Sequence, residues 1–510
     1  MAKIGYLLGY DIGSSSIKAT ILDPETGKAI ASATSPATEL KILAPKPGWA
    51  EQNPMIWWQH VKNVTTMLKE KSGINLKDVK AIGLSYQMHG LVIVDKNLKV
   101  IRPAIIWCDS RAVDIGAKTA SEMDTRIINE HLLNSPGNFT ASKLKWVKDN
   151  EPHHYKKIYK MMLPGDFIAM MMTGQINISI SGLSEGILWD YPAEKIAHHV
   201  LDYYKIERDI IPEALPTFHN QGTINSNAAA ELGLAVDTPL SYRAGDQPNN
   251  AFSLKVLNPG EIAATAGTSG VVYAITDTPK YDPQSRVNTF VHVNHQQDNP
   301  RYGILLCVNG TGILNSWIKH NIMTLEKSAL PSIDYPIDYP KMNELASTVP
   351  VGSEGLVILP YGNGAERTLC DRNINASIHG LDFNIHTRAH ILRAAQEGIV
   401  FALNYGLKII REMGIEINKV CAGYANMFLS PVFAEAFANI IDAPLELYQT
   451  DGSQGAARGA GVGVGIYKNE REAFIGLERI KIIHPKNNLK GGYNEYIEAF
   501  NKWESILKRQ

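Results

Sequence analysis

One pattern that occurs twice constrains this chain more than any other feature. Residues 6–10 are a short apolar run, Asp11-Ile12-Gly13-Ser14-Ser15-Ser16 reads as a turn, and residues 17–22 alternate like the returning strand of a hairpin. Residues 261–264, the turn Thr265-Ala266-Gly267-Thr268-Ser269-Gly270 and residues 271–275 repeat the arrangement, and the offset from Asp11 to Ala266 is half of the 510-residue chain. A fold of two related halves is the simplest consequence. Each half mixes β-rich runs (81–85, 91–94, 101–107, 356–359) with amphipathic helical stretches (56–70, 387–410), which predicts the α/β class. The boundary is expected where residues 253–260 end in Asn258-Pro259-Gly260, a turn signal just ahead of the second hairpin, giving domains 1–253 and 254–510.

Charge and apolar patterning exclude several function classes. With 50 Lys+Arg against 51 Asp+Glu, no basic footprint for nucleic acid or an acidic membrane exists. The longest uncharged stretch, 167–184, is diluted by Thr, Gly, Gln, Asn and Ser and falls short of an apolar membrane span. The opening apolar run ends at Asp11 with no small-residue cleavage site after it, so it predicts a first strand, not a secretory signal. Cys108, Cys307, Cys370 and Cys421 lie far apart and fit reduced thiols in a cytoplasmic protein. Histidines pair at 153–154 and 198–199 and recur at 292 and 295, but no Cys or carboxylate stands at zinc-site spacing. A structural or surface role is expected of them, and any catalytic metal is expected to be a hard, oxygen-binding ion.

Turns rich in Gly, Ser and Thr present backbone N–H groups and hydroxyls without side-chain bulk, which is how proteins grip phosphate oxygens. They also serve simply to reverse a chain. Their matched placement in both halves favours the phosphate reading. Neither is a P-loop, since no Gly-Lys-Ser/Thr follows and each leads into a strand. The cluster 459–465 fails as a dinucleotide fingerprint because Val464 takes the third glycine position, and close helix packing is its expected use.

The turn at 11–16, Gly-Trp-Ala-Glu-Gln-Asn-Pro at 48–54 with Trp57-Trp58, Gln87-Met88-His89-Gly90, Arg102-Pro103-Ala104-Ile105-Ile106-Trp107, Gly245-Asp246 and Ala266-Gly267-Thr268-Ser269-Gly270 together resemble the FGGY carbohydrate kinases. Within that family, the Met-His-Gly and Gly-Thr-Ser-Gly segments are most similar to xylulokinases. The resemblance runs from the N-terminus to about Gly465 and implies two actin-like (ribonuclease H-like) ATPase domains around a central cleft. It further implies transfer of the γ-phosphoryl of MgATP to a ketose, D-xylulose at its 5-hydroxyl first among them. Kinases of the same fold for ribulose, fuculose or glycerol, and a non-catalytic actin-type ATPase, stay open as alternatives. The expected partners are the small-molecule sugar and MgATP, with no nucleic acid or membrane, and a homodimer remains open.

The resemblance distributes roles over residues. Asp246, at the end of the strand 239–244, is the implied general base, although an Asp there could instead cap the helix expected to begin near Pro248. Asp11 is the implied carboxylate near Mg²⁺, with an Asx-turn as its plain structural use. Lys18 could point to phosphate or to solvent. Gln87, Met88, His89, Asp109 and Gln247 are the implied acceptor contacts beside Asp246, with Asp109 and Arg111 alternatively a helix cap and an ion pair. The ATP phosphates fall to Gly13, Ser14 and Ser15 and to Gly267, Thr268 and Ser269. Adenine falls to Gly423, Tyr424 and Asn426, with Trp317 as a candidate wall. This chain departs from the family pattern at Ala422 and Tyr424, where glycines are usual, and at Gln247, where many xylulokinases carry Asn.

Overall fold

Two sheets organise the molecule, seen here in a computed structural model that describes residues 5–323, 338–486 and 492–510. The first contains β1 (Tyr6–Ile12), β2 (Ile17–Leu22), β3 (Ala29–Ser35), β4 (Val79–Tyr86) and β5 (Leu240–Gly245), in the order β5-β4-β1-β2-β3. The second contains β6 (Glu261–Ala266), β7 (Gly270–Thr276), β8 (Asn288–Val291), β9 (Tyr302–Val308), β10 (Lys419–Gly423), β11 (Leu445–Tyr448) and β12 (Arg479–Ile483), in the order β8-β9-β7-β6-β10-β11-β12. Their central five strands correspond one for one. In each sheet the hairpin pairs antiparallel, a third antiparallel strand flanks it, and two parallel strands extend the other side.

Pairing lengthens the first hairpin beyond the sequence expectation. The ladder runs down to Ile12 opposite Ile17, so Asp11 stands inside β1 opposite Lys18 and does not open the turn. The cause is the second edge of β1, which bonds in parallel to β4 through the same residues. Residues 101–107, expected as a strand, contribute only Ala104–Ile105, paired with Glu51–Gln52.

Helices cover the sheets where apolar spacing and caps agree. In α1 (Pro54–Ser72), the Asn53 side chain accepts from the Met55 N–H, proline takes the first turn, and Trp57, Val61, Val64 and Leu68 form the buried stripe. Four more helices frame the cleft: α2 (Asp246–Ser253), α3 (Gly312–Ile318), α4 (Tyr339–Ser347) and α6 (Gly452–Gly463), with α5 (Arg388–Glu412) as the long helix of the second half. The two halves are interlocked by α2 and α6. Although α2 follows the first sheet, its Ala251 and its C-cap Leu254 pack with Ala263, Tyr273 and Ile275 of the second. Conversely α6 follows the second sheet, yet Ala456, Ala457 and Ala460 pack with Leu7, Ala81 and Tyr242 of the first. That approach is close enough to require glycine at position 9, where a Cβ would stand 2.0 Å from the Ser453 carbonyl oxygen. The glycines of 459–463 are likewise used in helix packing, against Tyr242 and Ser241. Among the described residues no helix is long and apolar enough to cross a membrane, and all four cysteines are free.

Candidate active site

Two cavities meet at the second hairpin turn. The first, about 540 Å³, is lined by Asp11, Gly13, Ser14, Ser15, Gln87, Met88, His89, Asp246, Gln247 and Ser269. The second, about 880 Å³, is lined by Gly267, Thr268, Asn315, Asn426 and Met427 and closed by α4. The three-residue turn 267–269 therefore presents Gly267 and Thr268 to one cavity and Ser269 to the other. Its Gly267 and Thr268 carbonyls accept the N–H groups of Gly312 and Ile313 at 2.9 and 3.1 Å, which fastens the turn to the start of α3.

Asp246 is the first residue of α2, with Gly245 in the cap position, so the helix starts before Pro248 and Asp246 is not its N-cap, although its carboxylate takes hydrogen bonds from Gln247 at the start of the helix. Burial first, then the neighbouring Asp11 carboxylate, push Asp246 up to about 7. Behind it, Gly245 has no room for a side chain: a Cβ would come within 2.3 Å of Glu185 Oε2 and 2.6 Å of Met88 Cγ. Burial, Asp246 and Asp166 push buried Glu185 well above the usual carboxylate range. Sequence reasoning missed Glu185, whose signal is being the lone acid that closes the uncharged run 167–184.

Asp11 Oδ1 accepts the Ser85 hydroxyl at 2.9 Å, and Lys18 faces it across the ladder and lines the same cavity, which settles its open orientation. Desolvation raises the Asp11 pKa, Lys18 and Ser85 oppose this, and Asp451 adds to it. Asp11 Oδ2 lies against Gly452, where a Cβ would stand 2.6 Å away. A cluster of carboxylates with oxygen donors and mutual repulsion fits a hard divalent cation shared with phosphate.

The first cavity carries two further polar devices. Neither amide atom of buried Gln87 has a hydrogen-bond partner among the described residues, so a ligand hydroxyl can take that place. His89, in a left-handed conformation with φ of 61°, donates from Nδ1 to the Glu185 carbonyl at 2.9 Å. Burial and then Lys143 lower its pKa to about 3, so the ring is neutral and Nε2 is left as an acceptor. Lys143 Nζ donates to the carbonyls of His89 (2.8 Å) and Ile106 (3.1 Å). It belongs to the buried face Thr140, Lys143, Leu144, Val147, a helical spacing that could have revealed it. Trp107, also unforeseen, lines the cavity and donates from Nε1 to Ser14 Oγ at 3.2 Å.

Four expected contacts lie elsewhere. Asp109 is fully buried outside the cavity, because the Ala50 N–H and the Arg111 N–H and guanidinium occupy its oxygens, and Arg111 pairs in turn with Glu51. It holds the loop that carries Trp107. Trp317 lies on the opposite face of α3 and lines a separate cavity with Ile318, Pro360 and Ile378. Tyr424 and Gly423 do not line the nucleotide-sized cavity, since the Tyr424 N–H is drawn to the Tyr448 carbonyl at the end of β11. Asn426 does line it, 3.7 Å from where a Gly267 Cβ would be. The missed residue there is Asn315, whose Oδ1 is buried without a partner among the described residues and suits a donor on a base or ribose.

The fold is shared with known proteins. The family model for the FGGY family of carbohydrate kinases, N-terminal domain, matches residues 6–253, and that for the C-terminal domain matches residues 262–463. The xylulose kinase of Bacillus subtilis is 29% identical over 422 residues, covering 81% of this chain and 79% of the relative. The crystal structure of xylulose kinase from Rhodospirillum rubrum superposes with a TM-score of 0.85 at 24% identity, covering 99% of this chain and 98% of that one. Gluconate kinase from Lactobacillus acidophilus superposes equally well, with a TM-score of 0.86 at 22% identity and coverage of 99% and 98%.

Proposed function

The chain belongs to the FGGY family of carbohydrate kinases, and we propose that this member transfers the γ-phosphoryl of MgATP to the 5-hydroxyl of D-xylulose. One observation carries the phosphoryl-transfer part: the turn 267–269 lines both cavities, so a phosphate held there faces Asp246 across the first of them. The xylulose part rests on the relatives at 29% identity and on Met88 and His89 in the acceptor cavity.

In this reading the sugar hydroxyl lies against Asp246, which takes its proton as the oxygen attacks phosphorus opposite the bridging oxygen of the departing ADP. A base near pH 7 is matched to that task. Burial and the neighbouring carboxylates disfavour a second negative charge on Glu185 behind the base. Neutral His89 offers Nε2 and Gln87 offers its amide to sugar hydroxyls, so an acceptor lacking those hydroxyls leaves buried polar groups unpaired. Asp11 would hold the Mg²⁺ that travels with ATP, and that ion neutralises charge on the transferring phosphoryl group. Ser14, Ser15 and the second turn grip the phosphates from opposite sides, which requires the two halves to close and excludes competing water.

The test is a panel of D-xylulose, D-ribulose, L-xylulose, L-fuculose, gluconate and glycerol at fixed MgATP. Gluconate is included because Arg286 and Arg367 line the acceptor cavity, where an anionic acceptor would find them. D-xylulose should exceed glycerol in kcat/KM by at least about 10³-fold, and His89→Ala should remove much of that preference. A higher kcat/KM for any other acceptor overturns the xylulose assignment.

A further inference from the structure

His199, one of the paired histidines with no ligand partner at zinc spacing in the sequence, acquires partners in space. His131 lies on the π-helical turn Ile127–Leu132, Asp190 in the strand Trp189–Asp190 and His199 at the start of the helix His198–Tyr204. One donor atom from each falls within 4.8 Å of the others. We propose that these three side chains bind a divalent transition-metal ion, with Zn²⁺ the best match, at a site separate from the acceptor and nucleotide cavities.

Asp190 is 2% exposed, and its ion-pair partners among the described residues are these two imidazoles, His131 Nδ1 at 3.0 Å and His199 Nε2 at 3.1 Å. Tetrahedral zinc with bonds of about 2.0–2.2 Å separates neighbouring ligand atoms by about 3.3–3.5 Å. Entry of the ion therefore asks each His–Asp pair to open by only a few tenths of an ångström. The two rings meet edge to face, 5.1 Å apart at 77°, so both can turn a nitrogen to one point without stacking. Their side chains are 29% and 41% exposed, which leaves the solvent side open for water as a further ligand. On binding, each ring exchanges its N–H bond to Asp190 for a metal bond, and the proton passes to the other ring nitrogen or to solvent. Two imidazoles with one carboxylate suit Zn²⁺ and its neighbours, whereas Mg²⁺ and Ca²⁺ prefer oxygen alone.

The ion would pin the elements by which the first half grips the second. The His131 carbonyl accepts the Tyr191 N–H at 3.0 Å, and the Tyr191 hydroxyl donates to the Thr289 carbonyl of β8 at 2.7 Å. Asn134, three residues beyond His131, donates to the same carbonyl at 2.7 Å and accepts the Thr289 N–H at 2.9 Å.

Isothermal titration of the tag-free, EDTA-stripped full chain with ZnCl₂, without nucleotide, tests this. One equivalent should bind, and saturation should raise the melting temperature by about 2 °C or more. His199→Ala, at a half-exposed position, and His131→Gln should each weaken binding at least about tenfold, while His198→Ala should titrate like the parent. Absence of zinc uptake, or uptake that His199→Ala and His131→Gln leave unchanged, overturns the site.

Discussion

The two halves handle one element pair in opposite ways. In each, the last shared parallel strand runs into a helix that crosses to the other half, β5 into α2 and β11 into α6. At the second junction Asp451 is the N-cap, accepting the Gln454 N–H at 3.0 Å and the Ser453 hydroxyl at 2.8 Å. At the first, Asp246 stands one position further on, past the cap position that Gly245 holds, and faces the acceptor cavity. The hairpins diverge in the same direction. The Asp11–Lys18 pair, one step before the turn of the first, corresponds to Thr265–Val271 in the second. At these two places the duplicated scaffold keeps charged side chains in the first half and gives the second a hydroxyl, an apolar side chain and a helix cap.

The largest expected effect comes from exchanging a carboxylate at the two junctions. Asp246→Asn should lower kcat by about 10²–10⁴-fold, the usual cost of losing a general base. Its melting temperature at pH 8 should hold or rise. The sign follows from linkage: folding raises this pKa, so the ionised carboxylate opposes folding progressively from about pH 4 to about pH 7, and the amide removes that charge. Near-parental turnover by Asp246→Asn would erase the contrast with Asp451.

A smaller effect is expected at the charged hairpin. Asp11→Asn should lower kcat/KM for MgATP by at least about tenfold and raise the Mg²⁺ concentration needed, because the remaining amide oxygen is a weaker ligand for a hard cation. Unchanged magnesium dependence would remove Asp11 from that role. Smaller again is the pH response per unit: kcat/KM should fall about tenfold per pH unit below about 7 as Asp246 gains its proton, and an acid limb near 4 would mean an unperturbed carboxylate. Least of all, Asp451→Ala should cost about 0.5–2 kcal/mol of stability in chemical denaturation while turnover changes far less than in Asp246→Asn.

The duplicated hairpins were legible because turn chemistry and two-residue alternation are local, and both lie where the sequence puts them. Asp246 stands at the strand end where the sequence puts it and lines the cavity, its role as base being a proposal. What escaped depends on distant partners. The side on which Lys18 emerges is fixed by pairing with β1, and Ser85 reaches Asp11 only once β4 lies alongside. Asp109 carries a motif that points to the acceptor, yet Arg111 and Ala50 occupy its oxygens. Trp317 sits on a short helix whose two faces look alike in sequence, and packing decides which faces the nucleotide-sized cavity. The zinc-type cluster was invisible for the same reason, since its three residues come from separate elements.

A crystal structure of the protein with D-xylulose and a non-hydrolysable MgATP analogue tests the central claim most directly. The account expects the 5-hydroxyl within about 2.6–3.2 Å of the Asp246 carboxylate and the terminal phosphate on the turn 267–269. A sugar hydroxyl held by another carboxylate, or phosphates lodged in the cavity that Trp317 lines, would contradict it.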